Sequence, residues 1–144
     1  MNIIKAIETA YRKKSERNYK FLYWCIDLHG VILEGKYNLN NDGAKPYPYA
    51  LKTLKLISNN PSNKIILWTS SYVLPTAAIL TWLNENNIKI HFINENPDYT
   101  LTELCDFTKK FFFDILFDDK AGFEGEKDWE PVYNYLKYRE KVGF

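Results

Sequence analysis

Three apolar segments of the chain each end in side chains that can bind a small cation or hold a phosphate group. These side chains are Asp27 after residues 21–26, Thr69 and Ser70 after residues 64–68, and Asp118 and Asp119 after residues 111–117. Carboxylate oxygens are the ligands that Mg²⁺ prefers in proteins, and hydroxyl groups donate hydrogen bonds to phosphate oxygens. The recurrence of the pattern predicts a metal and phosphate site.

The three apolar segments are predicted to be parallel strands that bring these side chains together. Ligands of open α/β sheets bind beyond the carboxyl ends of the strands, and neighbouring strands lie roughly 4.8 Å apart. Carboxylates on adjacent strand ends can therefore share one Mg²⁺, whose bonds to oxygen are about 2.1 Å long. A single aspartate after a strand more commonly begins a turn or caps a helix. Three polar strand ends in one chain favour a shared site.

Helical and extended patterns alternate along the rest of the chain, which predicts an α/β fold with a mainly parallel central sheet. The predicted helices cover residues 2–16, 48–57, 74–86 and 128–141, and a further strand covers residues 88–93. We expect one domain over residues 1–144, with an N-terminal helix in residues 1–18 and a catalytic core in residues 19–144.

The strand-end residues resemble the motifs of the haloacid dehalogenase superfamily, whose members are mostly Mg²⁺-dependent phosphatases and phosphotransferases. The matching positions, in family order, are Asp27–Val31, Thr69, Lys110 (or, as an alternative, Lys109) and Asp118–Asp119. The first of these is similar to the family pattern Asp-x-Asp-Gly-Thr or Val. The resemblance covers roughly residues 20–140. It implies a three-layer Rossmann-like fold and Mg²⁺ as the cofactor.

The resemblance also implies a role for each matching residue. Asp27 would be the nucleophile that forms an aspartyl-phosphate. The implied metal ligands are Asp27, the backbone carbonyl of His29, Asp118 and Asp119. The implied phosphate-binding residues are Thr69, Ser70, Gly30 and Lys110, of which Thr69 and Lys110 also take part in catalysis.

His29 departs from the family pattern. Phosphatases of the family have an aspartate at this position, which protonates the leaving group and then activates water. Histidine gives and takes a proton near neutral pH, so His29 is a candidate for the same acid/base role. A spectator or substrate-contacting role and a loss of catalysis are the alternatives.

The intervals between the motifs leave no room for the large cap domain that many family members carry. One loop and one helix are predicted between Asp27 and Thr69, and one helix and one strand between Thr69 and Lys110. Family members without a cap have open sites. The predicted loops in residues 32–46 and 94–109 are the remaining material that can cover the cleft, so we expect substrate selection there.

The composition indicates a single soluble domain. A formal net charge of +1 predicts no broad basic surface, so a nucleic-acid substrate stays open but gains no support from charge. Aromatic residues make up 17% of the chain, which predicts a bulky core and a minority of rings at a substrate cleft. No apolar run approaches the roughly 20 residues that span a bilayer, and the first residues lack a signal-peptide pattern. Cys25 and Cys105 have no paired spacing, so the cytoplasm is the predicted location.

The sequence therefore favours a Mg²⁺-dependent phosphohydrolase that acts on a phosphorylated substrate through an aspartyl-phosphate. Two other classes fit the same residues. One is a related transferase or non-phosphatase hydrolase that uses Asp27 as its nucleophile. The other is a catalytically silent domain that binds phosphate or a partner.

Overall fold

Helices and strands alternate along the chain, as the apolar periodicities predict. The computed structural model describes residues 2–34 and 45–143. Their elements are α1 (Ile3–Glu16), β1 (Leu22–Asp27), α2 (Ala50–Asn59), β2 (Asn63–Trp68), α3 (Val73–Glu85), β3 (Phe92–Ile93), β4 (Ile115–Phe117), a turn of 3₁₀ helix (Asp119–Ala121) and α4 (Gly125–Val142). The predicted α/β class is confirmed. Residues 35–44 of the predicted loop 32–46 lie outside the described ranges.

The sheet places the ends of β1, β2 and β4 side by side. Its strand order in the described residues is β3-β2-β1-β4, and every neighbouring pair is parallel. Asp27 of β1 is in register with Trp68 of β2, and Ile26 is in register with Phe117 of β4. Thr69 and Asp118 are the next residues along their strands, so the three polar strand ends reach the same edge of the sheet.

One face of the sheet packs against all four helices. Alternate residues of a strand point to opposite faces, and Trp24 and Ile26 of β1 point to this one. They belong to a buried core cluster that also contains Ile7 of α1, Leu54 of α2 and Trp129 of α4. The buried indole of Trp129 donates a hydrogen bond of 2.7 Å to the carbonyl of Val31, which ties the loop after β1 to α4.

The opposite face is covered by the connection from β3 to β4, residues 94–114, which contains no helix. Tyr23 of β1 points to this face, and its ring contacts the rings of Tyr99 and Phe112 at centroid distances of 5.6 and 5.9 Å. Its hydroxyl donates a hydrogen bond of 2.8 Å to Asp98. The three-layer Rossmann-like fold is thus confirmed, with one helical outer layer and one outer layer built from an aromatic connection.

Two predicted strands are shorter in the structure because a side chain replaces a backbone acceptor. The predicted strand 111–117 is reduced to β4: the backbone N–H of Tyr23 donates to Asp114 Oδ2 at 2.8 Å rather than to a carbonyl. The predicted strand 88–93 is reduced to β3: the N–H of Ile65 donates to His91 Nδ1 at 3.1 Å. Neither exchange has a signature in apolar periodicity.

The helices match their predicted positions to within a few residues. The largest difference is α4, which begins at Gly125 rather than at Asp128. None of the helices in the described ranges combines the length and the apolar character required to cross a membrane.

Candidate functional site

A cavity of about 320 Å³ opens where β1, β2 and β4 end. Five residues predicted for the site line it together: Asp27, Thr69, Ser70, Asp118 and Asp119. They come from three separate strands, and the parallel register brings them to one level of the sheet. The strand-end rule therefore located the cavity correctly.

The carboxylates of Asp27, Asp118 and Asp119 form a compact acidic centre. One oxygen from each lies within 4.8 Å of the others. Backbone N–H groups hold these carboxylates in place: that of Leu28 donates to Asp27 Oδ1 at 3.0 Å, and that of Lys120 donates to Asp118 Oδ1 at 2.9 Å. Asp118 is only 9% exposed. The centre is therefore built into the backbone, with a spacing that a small divalent cation can bridge.

The acidic centre carries more negative charge than its surroundings compensate. Burial, the neighbouring charge of Asp118 and a hydrogen bond with Asp119 raise the pKa of Asp27 to about 7. Across residues 2–34 and 45–143, no lysine or arginine forms an ion pair with these aspartates. A bound cation would relieve the repulsion, so the three carboxylates fit a Mg²⁺ ion chemically as well as by distance.

Gly30 allows Asp119 to approach the loop after β1. The backbone of Gly30 has a φ of +86°, a conformation that residues with a side chain rarely adopt. A Cβ atom at this position would lie 2.7 Å from Asp119 Oδ2. In the structure, this glycine makes space for a carboxylate of the acidic centre, and its predicted phosphate contact stays a prediction.

Thr69 is held by Asn94, a residue that the sequence did not single out. The N–H of Thr69 donates to Asn94 Oδ1 at 2.8 Å, and Asn94 Nδ2 donates to the Thr69 carbonyl at 2.7 Å. The hydroxyl oxygen of Thr69 accepts from the N–H of Ser71 at 3.1 Å. The hydroxyl hydrogen can then be directed at an oxygen bound in the cavity.

Asn94, Lys120 and Trp68 also line the cavity and were missed as site residues. Asn94 follows β3 just as Thr69 follows β2, so the strand-end rule could have found it. Its φ of +56° is one that asparagine tolerates better than most residues. The only signal for Lys120 in the sequence is its position directly after the acidic pair. Trp68 is the last residue of an apolar segment, yet it is 41% exposed.

The predicted phosphate-binding Lys110 does not reach this cavity. It is exposed and lines a second cavity of about 480 Å³, together with four phenylalanines. The prediction placed Lys110 directly before a strand, but β4 begins only at Ile115. The intervening residues carry the lysine away from the strand ends. The alternative, Lys109, is exposed and lines neither cavity. The lysine that lines the first cavity is Lys120.

His29 is buried and does not line the cavity. Only 7% of the residue is exposed. Its backbone forms a bridge with Leu33, and the adjacent N–H of Gly30 donates to the Leu33 carbonyl at 2.8 Å. The acid/base role of His29 and the metal contact of its carbonyl stay predictions.

No protein-family model and no curated protein matches the chain. Among solved structures, a conserved protein from Bacteroides thetaiotaomicron is similar, with a TM-score of 0.61 and 23% sequence identity. The match covers 83% of this chain and 92% of that one. The likeness is one of fold. It assigns no activity.

Proposed function

We propose that this protein is a Mg²⁺-dependent phosphohydrolase that cleaves phosphate monoesters through an aspartyl-phosphate on Asp27. The observation that supports the proposal most strongly is the acidic centre, whose oxygens lie within 4.8 Å of one another. It shares one cavity with Thr69, Ser70 and Lys120. Such a site offers a nucleophile, a cation site and donors for phosphate oxygens side by side.

Asp27, Asp118 and Asp119 would hold the metal ion. When bound, Mg²⁺ supplies positive charge that offsets the negative charge of the phosphoryl oxygens and of the carboxylates. The uncompensated charge of the centre, visible in the raised pKa of Asp27, supports this assignment. We retain the His29 carbonyl as a further ligand only as a prediction from the resemblance.

Asp27 is the proposed nucleophile. The N–H of Leu28 orients its carboxylate through Oδ1, and the attacking oxygen forms a bond to phosphorus while the ester P–O bond breaks. The leaving oxygen takes up a proton, and water then hydrolyses the aspartyl-phosphate to release phosphate and restore the carboxylate. Cys25 is unsuited to this role, because burial raises the pKa of its thiol to about 12.

Thr69, Ser70 and Lys120 are the proposed phosphate-binding residues. The hydroxyl groups donate to phosphoryl oxygens, and the lysine adds a positive charge. Asn94 is a positioning residue, because its two hydrogen bonds fix the backbone of Thr69. This division of roles replaces Lys110 with Lys120.

We place the protein in the cytoplasm. Neither of its cysteines forms a disulfide, although Cys105 is exposed, and free exposed thiols persist most readily in a reducing compartment.

The proposal is tested by combining a phosphate-release screen with a trap for the acidic centre. Purified protein is incubated with a panel of phosphate monoesters, with Mg²⁺ or with EDTA, and beryllium fluoride binding is followed by ¹⁹F NMR. We expect Mg²⁺-dependent phosphate release and a beryllium fluoride signal that Asp27→Asn removes. A signal without phosphate release would favour a transferase or another hydrolase. The absence of both would favour a silent binding domain.

A further inference from the structure

Trp68 is an exposed aromatic residue at the edge of a polar cavity. It ends β2 in register with Asp27, and it lines the same cavity as the three aspartates. The neighbouring strand residue Leu67 is fully buried, whereas 41% of Trp68 is exposed. The indole therefore lies beside the proposed nucleophile and is accessible from solvent.

Phe111 extends this aromatic surface toward the second cavity. The rings of Trp68 and Phe111 contact each other at a centroid distance of 5.5 Å, and those of Phe111 and Phe113 at 5.9 Å. Phe111 and Phe113 line the second cavity, of about 480 Å³, at whose edge Lys110 is exposed. The Trp68–Phe111 pair thus joins the acidic cavity to a larger aromatic one.

From the acidic cavity to the Trp68–Phe111 pair, the lining changes from charged to aromatic. This order matches a molecule with a phosphate at one end and a planar group at the other. The acidic cavity suits a phosphate with its cation, and the ring pair beside it offers apolar faces on which a planar group can stack. Lys110, which does not line the first cavity, adds a positively charged residue to the lining of the second. An aliphatic leaving group would use none of these aromatic contacts.

We propose that the Trp68–Phe111 pair is a stacking platform for a planar aromatic leaving group. The substrate class is then a small phosphate monoester with such a group, of which nucleoside monophosphates are the type to test. This inference rests on the proposed function, because the acidic cavity is assumed to hold the phosphate end. Trp68 is a specificity-determining residue under this assignment and takes no part in bond making.

The platform is tested with matched substrates and matched variants. The substrates are nucleoside 5′-monophosphates and ribose 5-phosphate, which share the phosphate and sugar but differ in the base. Trp68→Ala removes the stacking face, Trp68→Phe keeps an aromatic ring, and Tyr72→Ala removes an aromatic residue that is 81% exposed but does not line the cavity. Steady-state KM and kcat are measured for each pair in the presence of Mg²⁺.

We expect Trp68→Ala to raise KM for the nucleotides roughly 5- to 150-fold, the range measured for loss of one base-stacking contact. The effect on ribose 5-phosphate should be much smaller, Trp68→Phe should recover most of the loss, and Tyr72→Ala should behave as the unmodified protein. Equal losses on both substrates, or no preference of the unmodified protein for nucleotides, would overturn the platform while leaving the phosphohydrolase intact.

A binding measurement separates the two proposals if no ester is hydrolysed. Adenosine monophosphate is titrated into the protein with Mg²⁺ by isothermal titration calorimetry. Binding that Trp68→Ala weakens and Tyr72→Ala leaves unchanged would support the platform, while the missing hydrolysis would count against the hydrolase alone. If adenosine monophosphate did not bind, the platform would be wrong.

Discussion

The two faces of the sheet differ in how they are covered and in what they contribute. The helical face is dry and continuous, and its large side chains, such as Trp24 and Trp129, are fully buried. The other face is covered by residues 94–114, which form no helix and leave Leu101 and Leu104 exposed. The first face holds the strand ends at a fixed level and so positions the proposed chemistry. The second face carries the aromatic surface that we propose selects the substrate.

Asp27→Asn should have the largest effect on turnover, because it removes the proposed nucleophile at the end of β1. Turnover should fall by roughly 10³-fold or more, as for other nucleophile removals. The metal-free protein should at the same time become more stable, because the change removes one of three crowded charges. Phosphate release with Mg²⁺ measures the loss of turnover, and urea unfolding in EDTA measures the gain in stability. Near-normal turnover in a folded variant would show that the covalent mechanism is wrong.

His29→Ala tests whether His29, a buried residue in the loop after β1, takes part in proton transfer. If His29 protonates the leaving group, turnover should fall roughly 10²- to 10⁴-fold on alkyl phosphates. The loss should be much smaller on an activated aryl phosphate, whose leaving group needs no proton. His29→Asp should preserve activity, because a carboxyl group can also give and take the proton. An unchanged rate on alkyl phosphates would exclude the acid/base role.

Asn94→Ala tests whether the connection between β3 and β4 also supports the site. Asn94 is the first residue of this connection, and its side chain holds Thr69 at the end of β2. The variant loses both hydrogen bonds to the Thr69 backbone, so unfolding free energy should fall by about 1–3 kcal/mol. We expect kcat to fall with it, since the Thr69 hydroxyl loses its orientation. Asn96→Ala is the matched control, because Asn96 also forms two hydrogen bonds with the backbone: its Nδ2 donates to the Phe112 carbonyl, and its Oδ1 accepts from the N–H of Asp98. Asn96 does not line the cavity. Equal losses of kcat in the two variants would contradict a specific role for Asn94.

The acidic centre should make the stability of the metal-free protein depend on pH. The pKa of Asp27 is about 7 in the folded protein and 3.8 as its ordinary value, so the folded state favours the protonated form. The stability that protonated Asp27 contributes to the folded state is fully present below about pH 4 and is lost as the pH rises through 7. The difference in melting temperature between the unmodified protein and Asp27→Asn, measured in EDTA from pH 4 to 8, isolates this contribution. Saturating Mg²⁺ should reverse the trend, because the cation competes with the proton. A pH-independent difference would contradict the raised pKa.

Tyr23→Phe is expected to have the smallest effect of these variants. It tests whether the face covered by residues 94–114 contributes to stability without contributing to turnover. It removes the hydroxyl that donates to Asp98, which Lys64 also contacts at 2.6 Å. The unfolding free energy should fall by about 1–2 kcal/mol, with kcat unchanged. Leu104→Ala, on the exposed surface of the same connection, should change stability by less than about 0.5 kcal/mol. A loss of turnover in Tyr23→Phe would mean that this network also positions the site.

Sequence patterns predicted the helical face and the acidic centre well because both depend on periodicity. Apolar strands end where buried backbone meets a polar cavity, so Asp27, Thr69 and Asp118 could be located without coordinates. The same reasoning would have found Asn94 had it been applied to the end of β3. It depends on strands being visible as apolar runs.

The connection between β3 and β4 was predicted poorly for a physical reason. Asp114 and His91 each accept a strand N–H with a side-chain atom, and such an exchange leaves no mark on the pattern of apolar residues. Phe111 looked like part of a strand, although its ring contacts Trp68. Lys110 was then placed at the wrong cavity because its position was inferred from the strand that follows it.

The contact between Gly30 and Asp119 has a consequence for how the gene can vary. Any side chain at position 30 would occupy space that the Asp119 carboxylate holds, and the backbone there would resist it as well. A compensating change at position 119 would have to shorten the aspartate and thereby remove the carboxylate. Selection for folding alone could accept such a double mutant, whereas selection for activity could not. The two codons should therefore drift together in copies of the gene that have lost the activity, and stay fixed in those that retain it.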